Sequence, residues 1–266
     1  MTHRDVEVEP GVRLHVQDVG SGPVVVLLAG FGLDHEVWDG TVCTLSARHR
    51  VLAVDLRGTG RSDKPAGGYD MARLAADVLA VLAQLDLHDV AMIGHSFGGQ
   101  VALAVAGADP RRLRRLVLVG THGVRASRSS DFPFGRPAER TEQALVQAER
   151  ERRPAARRAN ITGAFLAEPD PDLADWLVRI QLLMPSWAAI ACYHTYLTTD
   201  LTHVLADLRV PVGQILGAKD PVTDASAAGW LRQRLPDAAQ VIIEDCGHYP
   251  MFEARDQFEA ALADLL

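Results

Sequence analysis

The run Gly94-His95-Ser96-Phe97-Gly98 places a serine between two glycines in the spacing G-x-S-x-G. An apolar, β-branched run over 90–93 leads into it. An Ala/Val-rich stretch through Val101 and Val105 leaves it and stops before Pro110. A strand that passes into a helix through so short a turn holds the serine in a strained conformation, and small flanking residues let the two elements approach. Such a turn exposes the Ser96 hydroxyl at the end of the sheet. It also aims a helix N-terminus at the same point, where the dipole favours developing negative charge. The chemistry this spacing suggests is nucleophilic attack by serine, which needs a neighbouring base to take the hydroxyl proton.

That base is expected late in the chain, after an acid, in the order Ser, acid, His. His248 lies in Asp245-Cys246-Gly247-His248-Tyr249-Pro250, just after the last β-rich run, with a glycine that lets the backbone bend. Asp220, in Gly217-Ala218-Lys219-Asp220-Pro221, follows the penultimate run and would orient the imidazole and stabilise its protonated form. Asp224 is the nearby rival and reads as the cap of the following helix, whereas Asp245 is too close to His248 on the same loop to be first choice. His95 adjoins the serine, but its side chain should point away in such a turn, so it reads as structural. Two backbone amides are needed to hold an oxyanion. One is expected from Phe97, the residue after the serine, and the other from Phe31 in the loop Ala29-Gly30-Phe31-Gly32.

The elements that must carry these residues follow from hydrophobic pattern. Runs at 12–19 and 24–28 flank the turn Gly20-Ser21-Gly22-Pro23, and a short run at 6–9 ends at Pro10-Gly11. Further runs fall at 51–54, 90–93, 116–119, 212–216 and 241–243. The later ones are nearly continuous, as in parallel strands buried on both faces. Asp70 can cap a helix with Leu74, Val78, Val81, Leu82 and Leu85 on one stripe. Helical patterns over 224–235 and 256–266 complete an alternation that reads as an α/β fold with a mostly parallel sheet. Between 123 and 206 the alternation breaks into helical pieces, 140–151 and 171–183, with no convincing strand. The organisation expected is a core of 1–122 and 207–266 with a helical cap over 123–206.

Composition excludes several classes. The chain has 266 residues, 48% hydrophobic and 23% charged, and a net charge of −7, which argues against a nucleic-acid backbone as partner. The N-terminus lacks a signal-peptide core and no apolar run reaches membrane-span length, so the cytoplasm is the default expectation. Cys43, Cys192 and Cys246 are far apart with no CxxC spacing. They suggest neither a zinc knuckle nor a disulfide framework, and Cys246 reads as a small buried filler. The basic run over 150–158, interleaved with Glu142, Glu149 and Glu151, reads as a solvated helix face.

The serine turn, the loop Asp55-Leu56-Arg57-Gly58-Thr59-Gly60-Arg61-Ser62, the Gly217–Asp220 motif and Gly247-His248 stand in an order that resembles the α/β-hydrolase superfamily over essentially the whole chain. The branch is similar to that of esterases, lactonases and cofactor-free haloperoxidases. The resemblance implies a mostly parallel eight-stranded sheet flanked by helices, with a helical lid. It makes Ser96, Asp220 and His248 the catalytic set, Phe31 and Phe97 the oxyanion amides, and Asp55 and Arg57 scaffold residues. Ala29-Gly30 stands where many relatives have His-Gly, and a serine nucleophile argues against the dehalogenase and epoxide hydrolase branches. The expected activity is cleavage of a carboxylic ester or lactone through an acyl-enzyme, with no metal or organic cofactor. The expected partner is a small molecule, with neither nucleic acid nor membrane. C–C hydrolysis, perhydrolysis or biosynthetic acyl transfer on the same triad remain alternatives, as does a ligand-binding member with little turnover. Trp38, His122, Phe132, Trp187, Tyr193 and Tyr249 are the candidate substrate contacts, with Phe134, Phe165, Trp176 and Tyr196 as further apolar walls.

Overall fold

The computed structural model describes all 266 residues. The chain opens with an antiparallel hairpin, β1 (Thr2–Glu9) and β2 (Val12–Gly20), and continues into β3 (Val24–Leu28). A single 3-10 turn (His35–Trp38) and α1 (Asp39–Leu45) lead to β4 (Arg50–Val54). Then follow α2 (Met71–Gln84), β5 (Val90–His95), α3 (Phe97–Ala108) and β6 (Leu113–Val119). Three helices come next, α4 (Ala138–Thr162), α5 (Pro171–Leu182) and α6 (Ser186–Thr198). The chain ends with β7 (Val212–Gly217), α7 (Ala228–Arg234), β8 (Ala239–Ile243), the short α8 (Pro250–Glu253) and α9 (Arg255–Leu265).

The eight strands form one sheet in the order β1-β2-β4-β3-β5-β6-β7-β8. The β1–β2 and β2–β4 pairs are antiparallel and the rest are parallel. Side chains alternate between two apolar cores, as a period of two requires. Val26, Leu28, Met92, Leu116 and Leu118 face one layer with α2 and α3. Val25, Leu27, Ile93, Val117 and Val119 face the other, with α1 and α9. Strand order reverses between β3 and β5, so the loops leaving their carboxyl ends diverge and open a crevice, the usual place for a ligand in an open α/β sheet. The Phe31 loop and Ser96 both lie there.

Local chemistry sets the helix ends. Asp70 caps α2 by accepting the Arg73 amide at 2.9 Å. The helical pattern seen at 140–151 extends to Ala138–Thr162 and kinks at Arg152, two residues before Pro154. Proline lacks an amide proton and its ring crowds the preceding turn, so the helix bends there and resumes. α6 has apolar residues around its whole circumference and therefore no amphipathic stripe to betray it in the sequence. No helix is long and apolar enough to cross a membrane.

Candidate active site

The turn between β5 and α3 is as tight as its glycines allow. Ser96 takes φ 52° and ψ −119°, a conformation that side chains rarely adopt. A Cβ on Gly94 would stand 2.5 Å from the Gly98 carbonyl oxygen, and one on Gly98 would stand 2.4 Å from that of Ala29. Only glycine permits those approaches, so the strained serine is held from both sides.

Ser96 Oγ lies 2.9 Å from His248 Nε2, and His248 Nδ1 lies 2.8 Å from Asp220 Oδ2. A carboxylate only accepts, so Nδ1–H donates to Asp220 and leaves the Nε2 lone pair for the serine proton. The Asp220 side chain is fully buried. Its other oxygen accepts the amides of Val222 and Thr223 at 2.7 and 2.9 Å, which fixes the carboxylate in place. Asp224 caps the turn that precedes α7 through the Ser226 amide, and Asp245 pairs with Lys219 at the surface.

Two further residues hold the His248 loop: Glu253, which was not singled out from the sequence, and His95, read there as structural and pointing away from the serine, with its ring instead packed beside that of His248. Glu253 accepts the amides of Gly247 at 3.1 Å and Tyr249 at 2.8 Å, on either side of His248, and that of Leu166 at 2.8 Å. The signal available was Pro250 at the first helical position with an acid in the same turn, the setting in which a carboxylate reaches back over preceding amides. His95 is buried and its Nε2 meets the His248 carbonyl at 2.9 Å. Its ring packs 4.9 Å from that of His248, and desolvation pulls its pKa down to about 3. Cys246 is fully buried, and burial pushes its thiol up to about 12, which makes it an inert filler.

The Phe31 loop is held from the helical segment. Gln181 of α5 donates Nε2–H to the Phe31 carbonyl at 3.1 Å. The Phe31 ring stacks on Tyr193 of α6, centroids 4.4 Å apart, and the Arg157 guanidinium carbon lies 5.4 Å from the centroid of the Phe31 ring. Arg157 is fully buried and doubly bonded to the equally buried Glu149 at 2.8 and 3.0 Å, while its Nη1 donates to the Gln181 carbonyl at 3.0 Å. The expectation of a solvated face over 150–158 therefore holds for Arg150, Arg152 and Arg158 but fails for Arg157 and Glu149, which pair across the kink. The Phe31 amide donates to no group of the protein. The Phe97 amide, at the first position of α3, is one of those a helix leaves without an internal acceptor.

A cavity of about 350 Å³ opens over Ser96 and His248. Half of its lining is apolar, and Asn160, Gln181 and Arg136 supply polar edges. Of the six aromatic and histidine candidates, Tyr193 and Tyr249 line it, as does Tyr196. Trp38, His122, Phe132 and Trp187 do not. Trp38 is sealed in the core, edge-on to His95. His122 bonds Gln214 and the Asp224 carbonyl. Phe132 packs edge-on against Phe134 and Trp230, and Trp187 lies on the surface with its indole donating to the Pro65 carbonyl. Phe134, Phe165 and Trp176 likewise pack elsewhere. Asp55 and Arg57 act as scaffold: Asp55 bonds the His35 backbone and ring, and Arg57 bridges Asp77 and Glu9.

Sheet topology, the serine turn and the crevice together define the α/β-hydrolase class, and residues 23–255 match the sequence profile of the alpha/beta hydrolase fold family. The chain belongs to that family. It is 32% identical to the pimeloyl-[acyl-carrier protein] methyl ester esterase of Nitrosomonas europaea, over 92% of this chain and 96% of that protein. It is 33% identical to a non-heme chloroperoxidase of Streptomyces lividans, over 91% and 92%. Its structure superimposes on an esterase from Exiguobacterium antarcticum with a TM-score of 0.95 at 25% identity, covering 99% of this chain and 98% of that one.

Proposed function

We propose that the chain is a serine hydrolase that cleaves carboxylic esters or lactones through an acyl-enzyme. The observation that carries this is the continuous relay from Ser96 through His248 to the buried Asp220, at 2.9 and 2.8 Å, on the floor of a half-apolar cavity. Ser96 Oγ attacks the carbonyl carbon while its proton passes to His248 Nε2, and the new charge on the imidazolium faces Asp220. The carbonyl oxygen, now an oxyanion, is held by the amides of Phe31 and Phe97. Collapse of the tetrahedral species expels the alkoxide, which takes the proton from His248. Water, deprotonated by the same imidazole, then releases the acid and restores Ser96. None of these steps needs a metal or an organic cofactor.

The helical segment between β6 and β7 acts as the lid and sets substrate choice. Tyr193, Tyr196 and Leu197 of α6 and Leu145 of α4 form apolar walls suited to a small or medium acyl group. The kinship with a chloroperoxidase favours a second use of the same intermediate, in which hydrogen peroxide replaces water and leaves as the peracid with the acyl group.

The test is hydrolysis of a panel of p-nitrophenyl esters and simple lactones by wild type and Ser96→Ala, with and without peroxide. Wild type should turn over at least one substrate, and the variant should lose roughly 10³-fold or more of that rate. Equal rates in the two proteins would remove Ser96 from the mechanism. Peracid formation only in the presence of peroxide and Ser96 would establish the second use.

A further inference from the structure

Three imidazoles meet where the edge hairpin β1–β2 approaches the turn after β3, and they take no part in the relay. His3 and Asp5 lie on β1, and His15 lies on β2 opposite Asp5 in register, while His3 pairs with Gln17. Residues two apart on a strand share a face, so His3, Asp5 and His15 project together. His35 joins them from the 3-10 turn after β3 and is fastened there by Asp55 at the end of β4. The rings of His3 and His15 lie 5.1 Å apart between centroids, those of His15 and His35 5.2 Å, and those of His3 and His35 6.0 Å.

Hydrogen bonds decide which nitrogens are free. His15 Nδ1 lies 3.0 Å from Asp5 Oδ1, and His35 Nδ1 lies 2.9 Å from Asp55 Oδ1. Each Nδ1–H donates to its carboxylate, so the nitrogen left to meet a metal is Nε2, whose lone pair is free when the ring is neutral. His3 Nδ1 stands 3.0 Å from His15 Nε2, and one ring nitrogen from each of the three residues falls within 4.8 Å of the others. Imidazoles whose second nitrogen is bound to a carboxylate are the arrangement that orients histidines around a transition metal and raises their basicity. His15 and His35 are buried, and His3 is exposed, so the third ligand can swing to close the site.

We propose that His3, His15 and His35 form a binding site for a borderline transition-metal dication, zinc being the probe of choice, with Asp5 and Asp55 as the outer carboxylates. Nitrogen ligands favour zinc, nickel or copper over magnesium or calcium. Four-coordinate zinc takes three histidines and leaves one position for water. The positive charge of Arg61 opposes a cation, and Asp5, Asp34 and Asp55 outnumber it. A second grouping, Asp34, His35 and Asp55, is the weaker candidate. Asp55 already accepts the His35 amide and ring and the Arg61 amide, so its oxygens are taken up by the protein. A metal on the three histidines would tie the edge hairpin to the turn that follows the Phe31 loop. This site is independent of the reaction proposed above.

The experiment is isothermal titration of the metal-stripped, tag-free full chain with zinc chloride, paired with thermal melts. One zinc per chain should bind with a Kd tighter than about 10 µM and raise the melting temperature. His3→Gln changes an exposed side chain and should keep the fold while weakening binding by roughly tenfold or more; Asp5→Asn should weaken it about 10- to 100-fold. His88→Gln, at a distant exposed histidine, should bind as wild type does. Cobalt added to the stripped chain should give the intense visible bands of a tetrahedral nitrogen site. Absence of stoichiometric binding overturns the proposal, as does binding that His3→Gln and Asp5→Asn leave unchanged.

Discussion

The imidazole of His95 donates from Nε2 to the main-chain carbonyl of His248, 2.9 Å away, so the residue before the serine supports the histidine that faces it. This bond needs a neutral or protonated ring, and complete burial beside His248 selects the neutral one, with the pKa pulled down to about 3 from 6.5. The unfolded chain therefore binds a proton that the folded chain refuses between those two values. The stability contributed by this neutrality is whole above pH 6.5 and is lost as the pH falls through that window, by up to ~1.4 kcal/mol per pH unit. Asp34, pushed up to about 6 from 3.8, has the opposite sign: its contribution is whole below pH 3.8 and is lost as the pH rises through 6. Urea unfolding of wild type and His95→Asn at pH 7, 6 and 5 separates the two, because Asp34 is common to both. The variant should be the less stable at pH 7 and should gain on wild type as the pH falls. A difference that does not change with pH would mean that His95 carries a proton in the fold.

Glu253 gathers three amides around the His248 loop, two of them from the residues on either side of the imidazole. Hydrogen bonds to a charged acceptor are worth ~1.5–3 kcal/mol each, so the carboxylate is a strong clamp. Glu253→Gln keeps the size but turns an amide group toward donors, which leaves one of them opposed. We expect kcat on a p-nitrophenyl ester to fall roughly tenfold, ~1.4 kcal/mol of barrier, with KM little changed. A variant that melts earlier but keeps the wild-type kcat would show that Glu253 serves the fold and not the position of His248.

Ser96, Asp220 and His248 were legible because each sits directly after a strand of the parallel sheet. Strand order and short loops bring those chain-distant points to one crevice, and both signals are local in sequence. The segment between β6 and β7 was legible as helix but not as contacts. Trp38, His122, Phe132 and Trp187 have the composition of a pocket wall, yet what each touches is set by packing between segments far apart in the chain. Arg157 shows the same limit for charge. Its partner Glu149 lies eight residues away, beyond the helical spacing of three or four, and meets it only because the Pro154 kink folds the two turns together. The support of Phe31 by Gln181 spans 150 residues and leaves no periodic trace. The histidine cluster was invisible for a related reason: strand register joins His3 to His15, but His35 arrives through a turn whose path depends on Asp55.

The conformation of Ser96 predicts a stability difference between two inactive variants. At φ 52° and ψ −119° a residue with a Cβ carries strain of ~1–3 kcal/mol, which both serine and alanine bear. Glycine escapes it but gives the unfolded chain more freedom, at a cost of ~0.5–1 kcal/mol. Ser96→Gly should therefore unfold at higher urea than Ser96→Ala, by ~1 kcal/mol once both effects are counted. Both variants should be equally unable to hydrolyse esters, so the comparison reads the backbone and not the chemistry. An alanine variant as stable as the glycine one would mean that the turn holds no strain at residue 96, and that Gly94 and Gly98 alone shape it.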